Sequence, residues 1–141
     1  MSLGVRQLAA AFQSGGKPPH SKMSWLSSLP HQIPFRAASS LIRKDEKSIE
    51  GKFLWTANDL ATPQILLIEA MAQFAGGLVF DSQGFLSGID NCEIAREIEP
   101  GDVVIVRVDV DADFGRIFRF SGTATIDGVE VARGRFYLAA P

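Results

Sequence analysis

Thr62-Pro63-Gln64-Ile65-Leu66-Leu67-Ile68-Glu69-Ala70-Met71-Ala72-Gln73-Phe74-Ala75-Gly76-Gly77 decides how the chain folds. Thr62 suits an N-cap, and Pro63 at the first helical position loses no useful N–H. Gly76-Gly77 mark the expected C-terminal end. Between them the residues are apolar on nearly every face, which predicts a helix buried in a core. The run is too short, and too interrupted by polar groups, to span a bilayer. Glu69 and Gln73 are the polar pair on this surface, and their i,i+4 spacing puts them on one face. An isolated buried carboxylate is costly. Glu69 therefore either bonds to Gln73, backbone or water as a structural group, or sits at a cleft as a working one. The helix alone leaves both readings open.

Before the helix, Arg36–Arg43 and Ser48–Trp55 flank the charged turn Lys44-Asp45-Glu46-Lys47 and read as a β-hairpin. Thr56 to Ala61 is the loop that delivers the helix. After the helix the pattern changes to period two. Phe85–Ile94 reads as a strand, with Gly88 as a candidate bulge. Glu99-Pro100-Gly101-Asp102 is a turn. Val103–Asp111 alternates, with Val104, Val106, Val108 and Val110 on one side. Phe114-Gly115-Arg116 turns the chain into Ile117–Ile126, and Asp127-Gly128 is a strong hairpin signal before Val129–Leu138. The C-terminal half reads as a meander of antiparallel strands. The fold class is therefore α+β, a curved antiparallel sheet wrapped around a central buried helix.

At the other end, residues 1–24 form an extension and linker, with a short amphipathic run from Leu3 to Phe12 and then Ser14-Gly15-Gly16-Lys17-Pro18-Pro19. Residues 25–141 form the domain. Pro30 and Pro34 exclude a long helix in 25–35. The 141 residues fit one core. A net charge of −2 gives no electrostatic case for nucleic acid. One cysteine, Cys92, excludes an internal disulfide and a cysteine zinc cluster. No secretory signal or membrane span is evident, so a cytoplasmic protein off the membrane is expected. No metal or cofactor is implied.

Four pieces of the chain carry a resemblance. Leu29-Pro30-His31-Gln32-Ile33-Pro34-Phe35 is similar to the N-terminal signature of the 3-hydroxyacyl-acyl-carrier-protein dehydratases of fatty-acid synthesis. Leu66 to Gln73 resembles the segment that holds their catalytic carboxylate. Ser87-Gly88-Ile89-Asp90 with Glu99-Pro100-Gly101-Asp102 resembles the strand and turn that follow. Gly122-Thr123-Ala124-Thr125-Ile126-Asp127-Gly128 resembles their last hairpin. The resemblance spans residues 26–139 and implies the hotdog fold. It also implies a homodimer in which two sheets join edge to edge.

That resemblance implies a dyad. A histidine of one subunit removes the proton alpha to the thioester, and a carboxylate on the other subunit's helix protonates the leaving hydroxyl. A backbone N–H at the helix start polarises the carbonyl. Glu69 falls on the carboxylate and the N–H of Gln64 falls near the carbonyl. The histidine position falls on Trp55, whose indole is a donor and no base. The loop Trp55-Thr56-Ala57-Asn58-Asp59-Leu60 contains no histidine.

The catalytic candidates are accordingly Glu69 and Asp59, although an Asp beside a helix N-terminus is also simply favourable there. Trp55, Asn58, Pro63, Gln64 and Gln73 are the substrate-binding candidates. His31 reads as structural and His20 as an exposed loop residue. The partners implied are acyl-carrier-protein or coenzyme-A thioesters. Three activities fit: a dehydratase-like protein with altered or lost dehydration, a thioesterase using Glu69 or Asp59 on water, or a non-catalytic acyl-thioester-binding subunit.

Overall fold

The computed structural model describes residues 37–54, 63–80 and 84–141. The extension 1–24, the stretch 25–36 with His31, and the loop 55–62 with Trp55, Asn58 and Asp59 lie outside the described residues.

The charged tetrapeptide turns the chain as its composition predicts. β1 (Ser40–Lys44) and β2 (Ser48–Leu54) pair antiparallel across it. The Asp45 carboxylate accepts from the Ser48 hydroxyl at 2.7 Å and from the N–H groups of Lys47 and Ser48 at 2.9 and 2.8 Å. These donors satisfy the turn locally. The Ser48 hydroxyl first, then the two backbone donors, hold the Asp45 carboxyl below its ordinary value.

The first strand was expected from Arg36, but it begins only at Ser40. The backbone N–H groups of Ala37 and Ala38 donate instead to Gln73 Oε1 on the helix, at 2.9 and 3.1 Å. Strand-like pairing resumes where the Ser39 N–H donates to Lys52 O at 2.8 Å.

The helix α1 (Pro63–Val79) runs through Gly76 and Gly77 rather than ending there. Glycine costs about 1 kcal/mol in a helix interior relative to alanine. Packing outweighs that preference, because Leu78, Val79 and Phe80 all rest against the core. The end is also well satisfied. The Phe80 N–H donates to Gly76 O at 3.0 Å, and the Lys44 ammonium donates to Gly77 O at 2.6 Å. A cation there complements the negative end of the helix dipole.

The remaining strands are β3 (Phe85–Ile94), β4 (Val103–Asp113), β5 (Ile117–Ile126) and β6 (Val129–Ala139). All pair antiparallel in the order β1-β2-β4-β5-β6-β3. The expected meander therefore holds only for β4, β5 and β6. β3 lies at the far edge beside β6, and β2 takes the place next to β4. The crossing segment is tied down at both ends. The Ala95 N–H donates to Val131 O at 2.8 Å, and the Glu99 N–H donates to Asp102 Oδ2 at 2.8 Å. The Gly88 region is irregular as expected, with a register shift between Leu86 and Gly88. Asp127 and Gly128 take φ of 49° and 79°, the two positive values of a type I′ hairpin turn.

Alternation along β4 and β5 sends Val104, Val106, Val108, Phe120 and Ala124 inward, all fully buried. They meet Leu67, Ala70, Met71 and Phe74 of the helix in one core. The helix packs on β2, β4, β5 and β6. Its close seat depends on missing side chains. A Cβ on Gly51 would overlap the Phe74 ring, and one on Gly122 would lie 2.8 Å from Met71 Sδ.

Candidate functional site

The helix is not buried all round. Leu66, Leu67, Ala70, Met71, Phe74 and Ala75 face the sheet, but Ile65 is 59% exposed and Ile68 and Glu69 are only partly covered. Positions 65, 68, 69 and 76 line up along one side at helical spacing, with the buried Ala72 between them. This stripe is apolar except for Glu69.

Gln73 lies one turn further on and is 2% exposed. Its Nε2 donates to Glu69 Oε1 at 2.9 Å, while its Oε1 takes the two N–H groups of Ala37 and Ala38. The structure thus brings together two of the expected site residues, a carboxylate at the edge of an apolar stripe and the amide that holds it. The anchoring of that amide by backbone from before β1 was not visible in the sequence, since nothing in an Ala-Ala pair marks its N–H groups as unpaired. Pro63 and Gln64 occupy the first turn of the helix, the end where its N–H groups and positive dipole end are presented. Trp55, Asn58 and Asp59 lie outside the described residues.

A second feature escaped the sequence reading. β3 is exposed along almost its whole length. Its inward-facing residues follow from register: Leu86 opposite Leu138, Ile89 opposite Phe136, Cys92 opposite Gly134 and Ile94 opposite Ala132. The partners Leu138, Phe136 and Ala132 are buried, yet Leu86 and Ile89 remain 43% and 49% exposed. β3 is thus a long edge strand whose inner face, among the described residues, is left uncovered at Leu86 and Ile89, while Ile94 packs against the core. The signal was present in Phe85, Leu86 and Ile89, but alternation cannot say which strands the helix will reach. The other edge, β1, is short, irregular and carries Arg43 and Lys44, features that discourage pairing. Loss of hydration pushes the Cys92 thiol up, away from an activated nucleophile. Among the described residues no cluster of His, Cys, Asp and Glu can hold a metal, and no helix is long and apolar enough to cross a membrane.

One curled antiparallel sheet around one helix defines a hotdog-fold protein; here a partly covered carboxylate on that helix is held by a buried amide. Solved structures agree on the fold. The dehydratase heterocomplex ApeI:P from Xenorhabdus doucetiae superposes with a TM-score of 0.72 at 17% identity, covering 82% of this chain and 90% of that one. The Escherichia coli PaaI protein of a phenylacetic acid degradation operon gives 0.59 at 16%, covering 71% and 81%. A Streptococcus pneumoniae hypothetical thioesterase solved with coenzyme A gives 0.60 at 11%, covering 72% and 84%. No protein-family model matches the chain. Curated relatives decide the family. The 3-hydroxyacyl-acyl-carrier-protein dehydratase FabZ of Rickettsia massiliae is 32% identical, the alignment covering 81% of this chain and 89% of the relative. That of Rickettsia bellii is 30% identical, covering 77% and 87%. The chain belongs to the 3-hydroxyacyl-acyl-carrier-protein dehydratase family.

Proposed function

We propose that this protein binds acyl thioesters of acyl-carrier protein or coenzyme A at the open side of α1, with Glu69 as its acid and with dehydration weakened or lost. The observation that carries the reading is the placement of Glu69. It is a partly covered carboxylate, held by a buried amide, on an otherwise apolar stripe. A carboxyl group so placed can protonate a leaving hydroxyl. The N–H of Gln64, in the first turn, is suited to polarise the thioester carbonyl. Dehydration also needs a base at the alpha carbon, and Trp55 stands where the resemblance puts the histidine.

The site is proposed to be completed by a second copy. The unpaired β3 edge and its bare inner face, Leu86 and Ile89, support pairing of β3 with β3. Such pairing would cover apolar surface on both copies and bound a groove for an acyl chain. The loop 55–62 carries Asp59 and no imidazole, and that favours one further reading, a thioesterase in which Glu69 or Asp59 activates water.

The test is an assay of purified protein against 3-hydroxyacyl, enoyl and saturated acyl thioesters in parallel, with Glu69→Gln beside it. The proposal expects binding of all three, little dehydration and no thiol release. Glu69→Gln should bind nearly as well and lose any residual dehydration. Rapid thiol release would establish the thioesterase instead. Absence of thioester binding would overturn both.

A further inference from the structure

The charges of this chain are divided by position. Of its 14 basic residues, six fall in residues 1–44, a stretch with no Asp or Glu; all 16 acidic residues follow it. The N-terminal extension is therefore a purely basic arm, charged at Arg6, Lys17 and Lys22. Its apolar residues Val5, Leu8, Ala9 and Phe12 stand at i, i+3, i+4 and i+7, the spacing of one helix face, with Arg6 off that face.

The domain carries a groove of complementary character. At the C-terminal end of α1 a cavity of about 340 Å³ opens between the β1–β2 turn and the ends of β4 and β5. Its floor is Val79, Val110 and Phe118, packed against the core but only partly buried. The Phe80 ring meets Phe118 edge-on at 5.5 Å, which steadies that floor. The rim is acidic, with Lys47 as the cation among the lining residues. Glu46 is exposed and has no hydrogen bond or ion pair among the described residues. Asp113 is exposed and accepts from the Gly115 N–H at 2.7 Å. Asp111 also lies there, but it already takes the Ser121 hydroxyl and sits 3.9 and 3.8 Å from Arg119 and Arg135.

We propose that this groove is the docking site of the chain's own N-terminal arm. Val5, Leu8, Ala9 and Phe12 cover the apolar floor, and Arg6 and Lys17 face Glu46 and Asp113. Opposite charges at the rim set the orientation, and the apolar contact supplies the burial. The span is within reach. Gln73 holds the Ala37 N–H six residues before Val79, about 9 Å along the helix. A flexible chain of the roughly 25 residues between Phe12 and Ala37 extends about 25–30 Å. The acidic rim repels the phosphates of coenzyme A, so the groove is separate from the thioester site proposed at Glu69.

The test compares the unaltered full chain with Leu8→Glu/Phe12→Glu, which spoils the arm without touching the domain. Amide exchange of residues 3–12 should be about 10-fold or more slower in the unaltered protein. The methyl resonances of Val79 and Val110 should move in the variant. Glu46→Lys with Asp113→Asn, which keeps the acceptor for Gly115, should bring exchange of the arm to within about twofold of the free-chain rate. If that variant does not fold, salt near 1 M screens the same contacts in the unaltered protein and should speed exchange likewise. Free-chain exchange of residues 3–12 in the unaltered protein, or Val79 and Val110 methyls indifferent to the arm variant, would overturn the proposal. So would two other occupants. Arm-to-groove contacts seen only between labelled and unlabelled molecules would assign the groove to a second copy. Methyls that respond only to added decanoate would assign it to a small apolar ligand.

Discussion

Gly51→Ala probes how closely sheet and helix must approach. The added Cβ would overlap Cε1 and Cζ of Phe74 and come within 2.5 Å of Ser40 O. Neither neighbour gives way easily. Phe74 is completely buried, and Ser40 O belongs to the strand paired with β2. Overpacking a well-packed core costs about 1–3 kcal/mol. With a ring and a backbone atom both in the way, Gly51→Ala should fall at the top of that range, about 3 kcal/mol. At roughly 3 °C per kcal/mol for a domain of this size, the melting point should drop by about 10 °C. Urea unfolding followed by circular dichroism gives the free energy directly. Phe74→Leu should relieve the ring clash but not the clash with Ser40 O. The double variant should therefore lose less than the sum of the singles, by about 1 kcal/mol. A loss below about 0.5 kcal/mol for Gly51→Ala, the level of an ordinary surface change, would refute the close approach.

Gly128→Ala forces a side chain onto a residue at φ 79° and should cost about 1–2 kcal/mol in thermal unfolding, whereas Asp127→Gly should be nearly neutral. Asp45→Asn should destabilise at neutral pH and progressively less in acid. The folded-state pKa of Asp45 is depressed below 3.8, so its stabilisation is full above that value and is lost as pH falls through the lower one; the gap between the two unfolding curves should close there. Ile89→Glu places a charge on the bare face of β3, where the side chain is 49% exposed in one copy. It should leave the single fold intact and convert a dimer to a monomer in sedimentation at micromolar protein. Unchanged sedimentation would place the interface elsewhere.

The strands and their inner faces were legible because alternation and turn chemistry agree over long runs. Val104 to Val108 and the Asp127-Gly128 turn are the clearest cases. The helix end was misread because glycine propensity is a weak local term, and the packing of Leu78, Val79 and Phe80 outweighs it. The place of β3 was not legible, since alternation within a strand does not say which neighbour it takes; β4 is already flanked by β2 and β5, and β3 pairs with the edge of β6. At the site, Glu69 and Gln73 stood out as polar residues in an apolar helix. Their hydrogen bond follows from spacing alone. The grip on Ala37 and Ala38 does not, because it joins residues far apart in sequence through featureless backbone.

The central claim is that Glu69 is retained as an acid while the base has been lost at Trp55. Its most direct test is the initial rate of dehydration of a 3-hydroxyacyl thioester by the unaltered protein and by Trp55→His, side by side. A positioned general base contributes about 10²–10⁴-fold, and Trp55→His should recover part of that, with Glu69→Gln in the same background abolishing it. Turnover by the unaltered protein at about 1–10³ per second, the ordinary range for enzymes, would contradict the claim.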